Sequence, residues 1–165
     1  MKISARSIVL GGLIGALYAA LTLALQPFGY GPVQFRLAEC LTVLPAVFPG
    51  AIPGLFVGCF LANYLGGFGL ADMVFGSLAT LLAGLATYSL RNYKLLLPLP
   101  PVLLNGLIVG GYIYLLYDKT YPMALTMLFI ALSQLIICYG LGLPLLSLIK
   151  RNKVLSSYAV PQPKR

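Results

Sequence analysis

Charged side chains are missing from most of this chain. Residues 7–35, 40–71, 73–90, 95–117 and 120–149 contain no Asp, Glu, Lys or Arg, whereas a helix needs only about 20 apolar residues to cross the hydrocarbon of a bilayer. A chain with 60% hydrophobic and 8% charged residues fits neither a soluble globular domain nor a disordered segment. Its solvent is lipid. Ionisable groups are costly there and face a cavity or a partner, so the three acids, Glu39, Asp72 and Asp118, are functional candidates before any motif is sought.

Uncharged apolar runs of that length read as membrane-spanning helices and predict an all-α fold. One integral membrane domain is expected over residues 1–150, with a basic tail at 151–165. The net charge of +8 does not point to nucleic acid, because the cations sit at the chain ends and in one short connection, as membrane topology requires. The basic start runs into apolar sequence as far as about Gln26, too long for the apolar region of a signal peptide and without a clear cleavage site. It is read as the first helix. Cys40, Cys59 and Cys138 are odd in number and lack C-x-x-C spacing, so they are read as buried packing thiols. The chain has no His, which removes a His-containing zinc site and a Ser-His-Asp triad. No enzyme activity and no cofactor are expected.

Proline and glycine breaks set the elements. Helix 1 is expected at about 5–26, ended by Pro27 and a turn at 29–32. Residues 37–65 form either one kinked span or two short helices, 37–48 and 51–65, meeting at Pro49-Gly50. Helix 4 follows at about 70–90, helix 5 at about 100–117 and helix 6 at about 121–149. Six helices with a cytoplasmic N-terminus place nine basic residues inside (Lys2, Arg6, Arg91, Lys94, Lys150, Arg151, Lys153, Lys164, Arg165) and leave Arg36 and Lys119 outside. Five helices give eight against three, so the positive-inside rule favours six. All three acids and Arg36 then gather at the outer helix ends. Helices 2 and 3, roughly 18 and 22 Å long at 1.5 Å per residue, need shielding by their neighbours.

The candidate site residues follow from cost. Arg36 and Glu39 lie three residues apart and are expected to pair on one helical face. Asp72 has no basic neighbour in sequence and stands beside the Gly-rich run 66–69, a position suited to a ligand; Asn63 falls in the same region. Asn105 and Gln134 sit in apolar helices, where an unpaired amide is expensive, and bonding to one another is the structural alternative to ligand contact. Tyr112, with Tyr114 and Tyr117, can stack on a planar ligand or anchor the interface. On helix 1, Gly12, Ala16, Ala20 and Ala24 form a stripe of small residues, either an internal packing face or a docking face for another subunit. No inverted repeat is evident, which disfavours a stand-alone alternating-access carrier.

The strings VQFRLAECLTVLP, AIPGLFVGCFLAN, GLADMVFGSLATLLAG, LPLPPVLLNG and CYGLGLPLL resemble the QueT family, from helix 1 to about Leu146. The resemblance implies a six-helix S-component fold in the cell membrane, multi-pass with both termini cytoplasmic. It implies the substrate-binding component of an energy-coupling-factor importer for queuosine precursors. The implied partners are a transmembrane coupling subunit docking on Gly12, Ala16 and Ala20, and two ATP-binding subunits; the chain itself has no G-x-x-x-x-G-K-[ST] phosphate loop. The implied ligand is a 7-deazaguanine; its chemistry suits the candidates Arg36, Glu39, Asn63, Asp72, Asn105, Tyr112 and Gln134, with Glu39 on the donor edge and, for an aminomethyl form, Asp72 opposite the cation, or the two acids in exchanged roles. A different vitamin-type ligand, or a ligand-free membrane assembly protein, is the alternative. Two positions depart from the family pattern: Ala38 stands where a small polar residue is usual, and Gln134 where an acid is usual. Gln keeps an acceptor and loses the charge.

Overall fold

The computed structural model describes residues 5–29 and 34–160, and no strand occurs among them. The expected turn around 30–32 and the cations Lys2, Lys164 and Arg165 lie outside the described residues.

Helix α1, Ala5–Ala24, runs without a proline and ends just before the short turn at Gln26–Phe28. It buries Gly11, Ile14, Gly15, Tyr18 and Thr22 and exposes Ile8, Val9, Leu13 and Leu17. Large apolar side chains outside with small and polar ones inside is the reverse of a water-soluble protein. The same inversion continues around the molecule at Val57, Leu61, Leu82, Leu85, Leu107, Leu128, Leu132 and Leu148, all exposed. An apolar surface of that extent is stable only against lipid.

Helix 2 differs from expectation. Residues Leu37–Ala46 form a 3-10 helix, not an α-helix to 48. At about 2.0 Å per residue this winding makes ten residues span about 20 Å, where an α-helix would span about 15 Å. Neighbours shield it: Ala38, Leu41, Val43, Leu44 and Ala46 are buried, and they form the main core with Ile14, Tyr18, Leu55, Leu97 and Leu146. The second short helix, α2 at Ala51–Leu65, is placed as expected. So 37–65 is two helices meeting at Pro49-Gly50, as six crossings require.

The remaining three crossings each contain a π turn. The fourth has Asp72–Gly76 leading into α3, Ser77–Ser89. The fifth joins α4, Leu99–Leu104, through Asn105–Val109 to α5, Gly110–Leu116. The sixth joins α6, Met123–Ile137, through Cys138–Gly142 to α7, Leu143–Arg151. A short α8, Lys153–Ser157, follows. The tail is therefore partly helical, and it folds back, since Val160 N–H donates to Val47 O at 2.9 Å.

Contacts between connections fix the two ends of the bundle. At one, Gln26 Nε2 donates to Gly66 O and Tyr117 OH to Phe68 O. At the other, Ser7 meets Gly50, Thr87 Oγ1 donates to Leu97 O, and Val160 reaches Val47. The chain thus crosses the bundle six times, and both described ends lie at the second end.

Parallel helices α1 and α2 meet backbone to backbone. A Cβ built at Gly11 would lie 2.2 Å from Gly50 O, at Gly15 2.3 Å from Gly54 O, and at Gly54 2.0 Å from Gly11 O. No side chain fits there. Gly11 and Gly15 on one helix and Gly50, Gly54 and Gly58 on the other are spaced by four, which brings successive glycines to the same face.

Candidate functional site: a buried polar cluster at the loop end

Each crossing contributes a polar side chain to the interior, from Arg36, Asn63 and Asp72 near the loop end inward to Asn105 and Gln134. Tyr18 comes from the last turns of α1, Arg36 and Glu39 from the entry to the 3-10 helix, and Asn63 from the end of α2. Asp72, Asn105 and Gln134 come from the fourth, fifth and sixth crossings, joined by Tyr112 of α5. All eight are buried, Tyr18 and Asn63 completely.

Two carboxylates organise them. Glu39 Oε1 accepts from Tyr18 OH at 2.6 Å, and Oε2 accepts from Asn105 Nδ2 at 3.3 Å. Asp72 Oδ1 accepts from Tyr112 OH at 2.7 Å and lies 3.5 Å from Arg36 Nη2, while its backbone carbonyl accepts from Asn63 Nδ2 at 2.7 Å. Gln134 connects through sulfur: the Cys138 thiol lies 3.7 Å from Gln134 Oε1 and 3.5 Å from Glu39 O. The π turns help to present these groups, since Asp72 and Asn105 each open one and Cys138 opens the third. Such turns rotate the following helix against the preceding one and recur at functional sites.

Pairing differs from the sequence reading in three ways. Arg36 forms its ion pair with Asp72, not Glu39, because Arg36 precedes the helix in extended backbone (φ −84°, ψ 90°) and the fourth crossing delivers a carboxylate to it. Asn105 bonds Glu39 and Gln134 bonds Cys138, so the two amides do not serve one another. Asp118 stays out of the cluster, on the loop, accepting from Thr120. All three cysteines are free thiols, Cys59 and Cys138 buried and Cys40 partly so.

Several buried polar atoms of the cluster lack a hydrogen bond: Nε and Nη2 of Arg36, and Oδ1 of Asn63. In a low-dielectric interior an unmet donor or acceptor costs about 1–3 kcal/mol. Aromatic rings stand nearby. Arg36 Cζ lies 6.0 Å from the Phe68 ring centroid, and the Tyr112 ring 6.3 Å from that of Tyr117. Phe68 is held in a loop whose Gly67 and Gly69 have φ of 69° and 93°, a backbone conformation that side chains disfavour.

A separate groove of about 810 Å³ opens between α1 and α2, lined by Gly12, Ala16, Ala19, Val57, Leu61 and Tyr88 among others. No member of the polar cluster lines it. Gly12, Ala16 and Ala20 are exposed, so internal packing on α1 falls to the neighbouring Gly11-Gly15 line.

A family model described as QueT transporter matches residues 8–151. The chain belongs to the QueT family. The match spans all six crossings and stops at the last residue of α7, ahead of α8. No curated protein and no solved structure matches the chain. As a QueT member it is a membrane transporter component that works with other subunits.

Within this QueT chain, sequence reasoning missed Tyr18, the partner of Glu39. The signal was present: Gly11, Ile14, Gly15 and Tyr18 share one helical face at spacings of three and four, and a buried tyrosine hydroxyl needs a partner. Cys138 was read as packing alone, yet it bridges Gln134 and Glu39. The π turns left no readable pattern, because their extra residue shows only once the flanking helices are packed.

Proposed function

We propose that this protein is the substrate-binding S component of an energy-coupling-factor importer and captures a queuosine precursor, a 7-deazaguanine, at the outer membrane face. The observation that carries the reading is the set of unmet polar atoms around Asp72. Arg36 offers donors and Asn63 an acceptor, both without a hydrogen bond, in the interior of a lipid-facing bundle. A 7-deazaguanine brings the complement: a carbonyl for the guanidinium, and ring N–H and exocyclic amine donors for carboxylate and amide oxygens. Tyr112 and Phe68 supply ring faces for a planar ligand. Glu39, Asn105 and Gln134 complete the polar lining.

The basic residues Arg6, Arg91, Lys94, Lys150, Arg151 and Lys153 lie at the end shared by the chain ends, while Arg36 and Lys119 lie at the loop end. By the positive-inside rule the loop end faces outward and both termini are cytoplasmic. The exposed stripe Gly12, Ala16 and Ala20 is the surface for the transmembrane coupling subunit, because small residues let a second helix come close. Energy then comes from two ATP-binding subunits.

A thermal-shift series on the purified protein with 7-deazaguanines, guanine and common vitamins tests this reading. Stabilisation by the 7-deazaguanines alone is expected. Stabilisation by a vitamin instead would reassign the ligand, and none by any compound would favour an assembly role.

A further inference from the structure

The glycine seam that lets α1 and α2 touch also leaves a trough beside it. With no side chains along Gly11, Gly15, Gly54 and Gly58, only the flanking residues rise on either side, and the groove of about 810 Å³ results. It follows α1 from Ser7 to Ala19 and the neighbouring helix from Pro49 to Leu61. From Ser7 to Ala19 is 12 residues, roughly 18 Å of α-helix, close to one leaflet of a hydrocarbon core about 30 Å thick. The groove begins at the chain-end face, where Ser7 meets Gly50, and among the described residues no charged side chain lines it. Its length and chemistry suit one acyl chain.

The charge at the mouth adds a headgroup to that chain. Tyr88 lines the groove, and the Arg91 guanidinium lies over its ring, 4.4 Å from the centroid. Arg91 Nη1 donates to Tyr88 O at 3.2 Å, but Nε is buried without a hydrogen-bond partner. No side-chain carboxylate stands at this face. The chain has three acids: Glu39 and Asp72 belong to the buried cluster, and Asp118 lies on the opposite loop with Thr120. A phosphate oxygen matches an unmet guanidinium N–H through a charge-assisted hydrogen bond. A hydrocarbon without a headgroup would fill the groove and leave that donor unmet.

We propose that the α1–α2 groove binds one anionic phospholipid, with an acyl chain along the glycine seam and the phosphate on Arg91. The inference goes beyond the transport reading and takes from it only the orientation of the bundle. That orientation assigns the lipid to the cytoplasmic leaflet, where basic side chains attract anionic headgroups. Gly12 and Ala16 line the groove and also belong to the stripe proposed for the coupling subunit, so the lipid would cover that surface while the subunit is away.

The test uses the purified full-length protein in detergent, freed of native lipid, with bound lipid counted by native mass spectrometry. The probes are dioleoyl phosphatidylglycerol and dioleoylglycerol, which share their chains and differ in the phosphate-bearing headgroup. The wild type is expected to hold one phosphatidylglycerol, about tenfold or more tightly than dioleoylglycerol. Arg91→Gln should reduce that preference to about twofold or less while dioleoylglycerol binding, which reports an intact groove, stays unchanged. Lys94→Gln removes an exposed charge from the same connection and should leave the preference within about twofold, because such a charge is screened. Gly12 has open space at its Cβ position, so Gly12→Leu with Ala16→Leu fills the groove and should weaken both probes about tenfold. Equal effects of Lys94→Gln and Arg91→Gln would mean diffuse attraction to a basic face, and equal loss of both probes in Arg91→Gln would remove the phosphate contact. Unchanged binding in the groove-filling variant would move the lipid elsewhere; each of these results overturns the site. Wild-type protein that retains no phosphatidylglycerol overturns it too and leaves the groove to a protein partner, without bearing on deazaguanine binding in the polar cluster.

Discussion

Helix α1 takes part in two contacts built on opposite principles. Along Gly11 and Gly15 it meets α2 with no side chains at all, carbonyl against glycine. One turn further, at Tyr18, it joins a cluster in which long polar side chains from six crossings satisfy one another. Lipid offers no hydrophobic drive for helices to associate, so close backbone approach and interhelical hydrogen bonds are the two available adhesives. The glycine seam uses the first and has no further chemical capacity. The polar cluster uses the second and retains unmet donors and acceptors. A region that only holds helices together can be complete in itself; a region left incomplete is where the proposed ligand would bind.

The largest effect should come from breaking the charge pair in the cluster. Arg36→Met leaves Asp72 buried without its cation, and such losses cost about 3–5 kcal/mol. The double substitution Arg36→Met with Asp72→Asn removes both charges and should recover most of that. Thermal unfolding in detergent, read by retention of a monodisperse species, measures both. A double variant no more stable than Arg36→Met would mean that the pair at 3.5 Å contributes little and that the cluster, like the seam, is held by packing.

Next comes the seam. Gly54→Val places a Cβ about where Gly11 O stands, 2.0 Å away, and overpacking of this kind costs about 1–3 kcal/mol or more. Gly12, one residue from Gly11, has nothing within 4 Å of its Cβ position; Gly12→Ala should be neutral or stabilising by up to about 1 kcal/mol. Ala16→Leu with Ala20→Leu, on the same exposed face, should change stability by about 0.5 kcal/mol or less. The same pair should abolish co-purification with the proposed coupling subunit. If instead Ala16→Leu with Ala20→Leu unfolds the protein as Gly54→Val does, the two faces of α1 are one packing surface.

These contrasts also show what was legible in the sequence. The lipid-facing class followed from the cost of charge in lipid, the six helices from the Pro and Gly breaks with the basic asymmetry, and the seven candidate residues from charge, unpaired amides and an aromatic ring; the structure buries all seven side chains. The wiring among them did not follow. Arg36 and Glu39 were paired by assuming that both lie on one helix, whereas Arg36 stands before it in extended backbone, and Asp72 arrives from a crossing 36 residues away in sequence. Asn105 reaches Glu39 across 66 residues, a separation that no local periodicity encodes. The glycine seam was readable as Gly50-x-x-x-Gly54-x-x-x-Gly58, but the Gly12-Ala16-Ala20 stripe drew the attention that its neighbours Gly11 and Gly15 merited.

The smallest effect is expected at Asp118, the acid that belongs to neither region. Its carboxylate accepts from the Thr120 hydroxyl and from the Thr120 N–H, the latter at 2.8 Å, and these bonds hold its pKa below the usual aspartate value, the hydroxyl first. A carboxylate depressed in the folded state contributes stability above its unfolded pKa, about 3.9, and that contribution disappears as pH falls through the folded value. Thr120→Val keeps the backbone bond and deletes the hydroxyl one, so the Asp118 titration, followed by carbon-13 carboxyl shifts, should move upward towards the ordinary value. Precursor binding at neutral pH should not change, because Asp118 and Thr120 bond one another and not the cluster. A Thr120→Val protein with weakened binding would extend the site onto the loop and return Asp118 to the group of acids that the sequence first placed together.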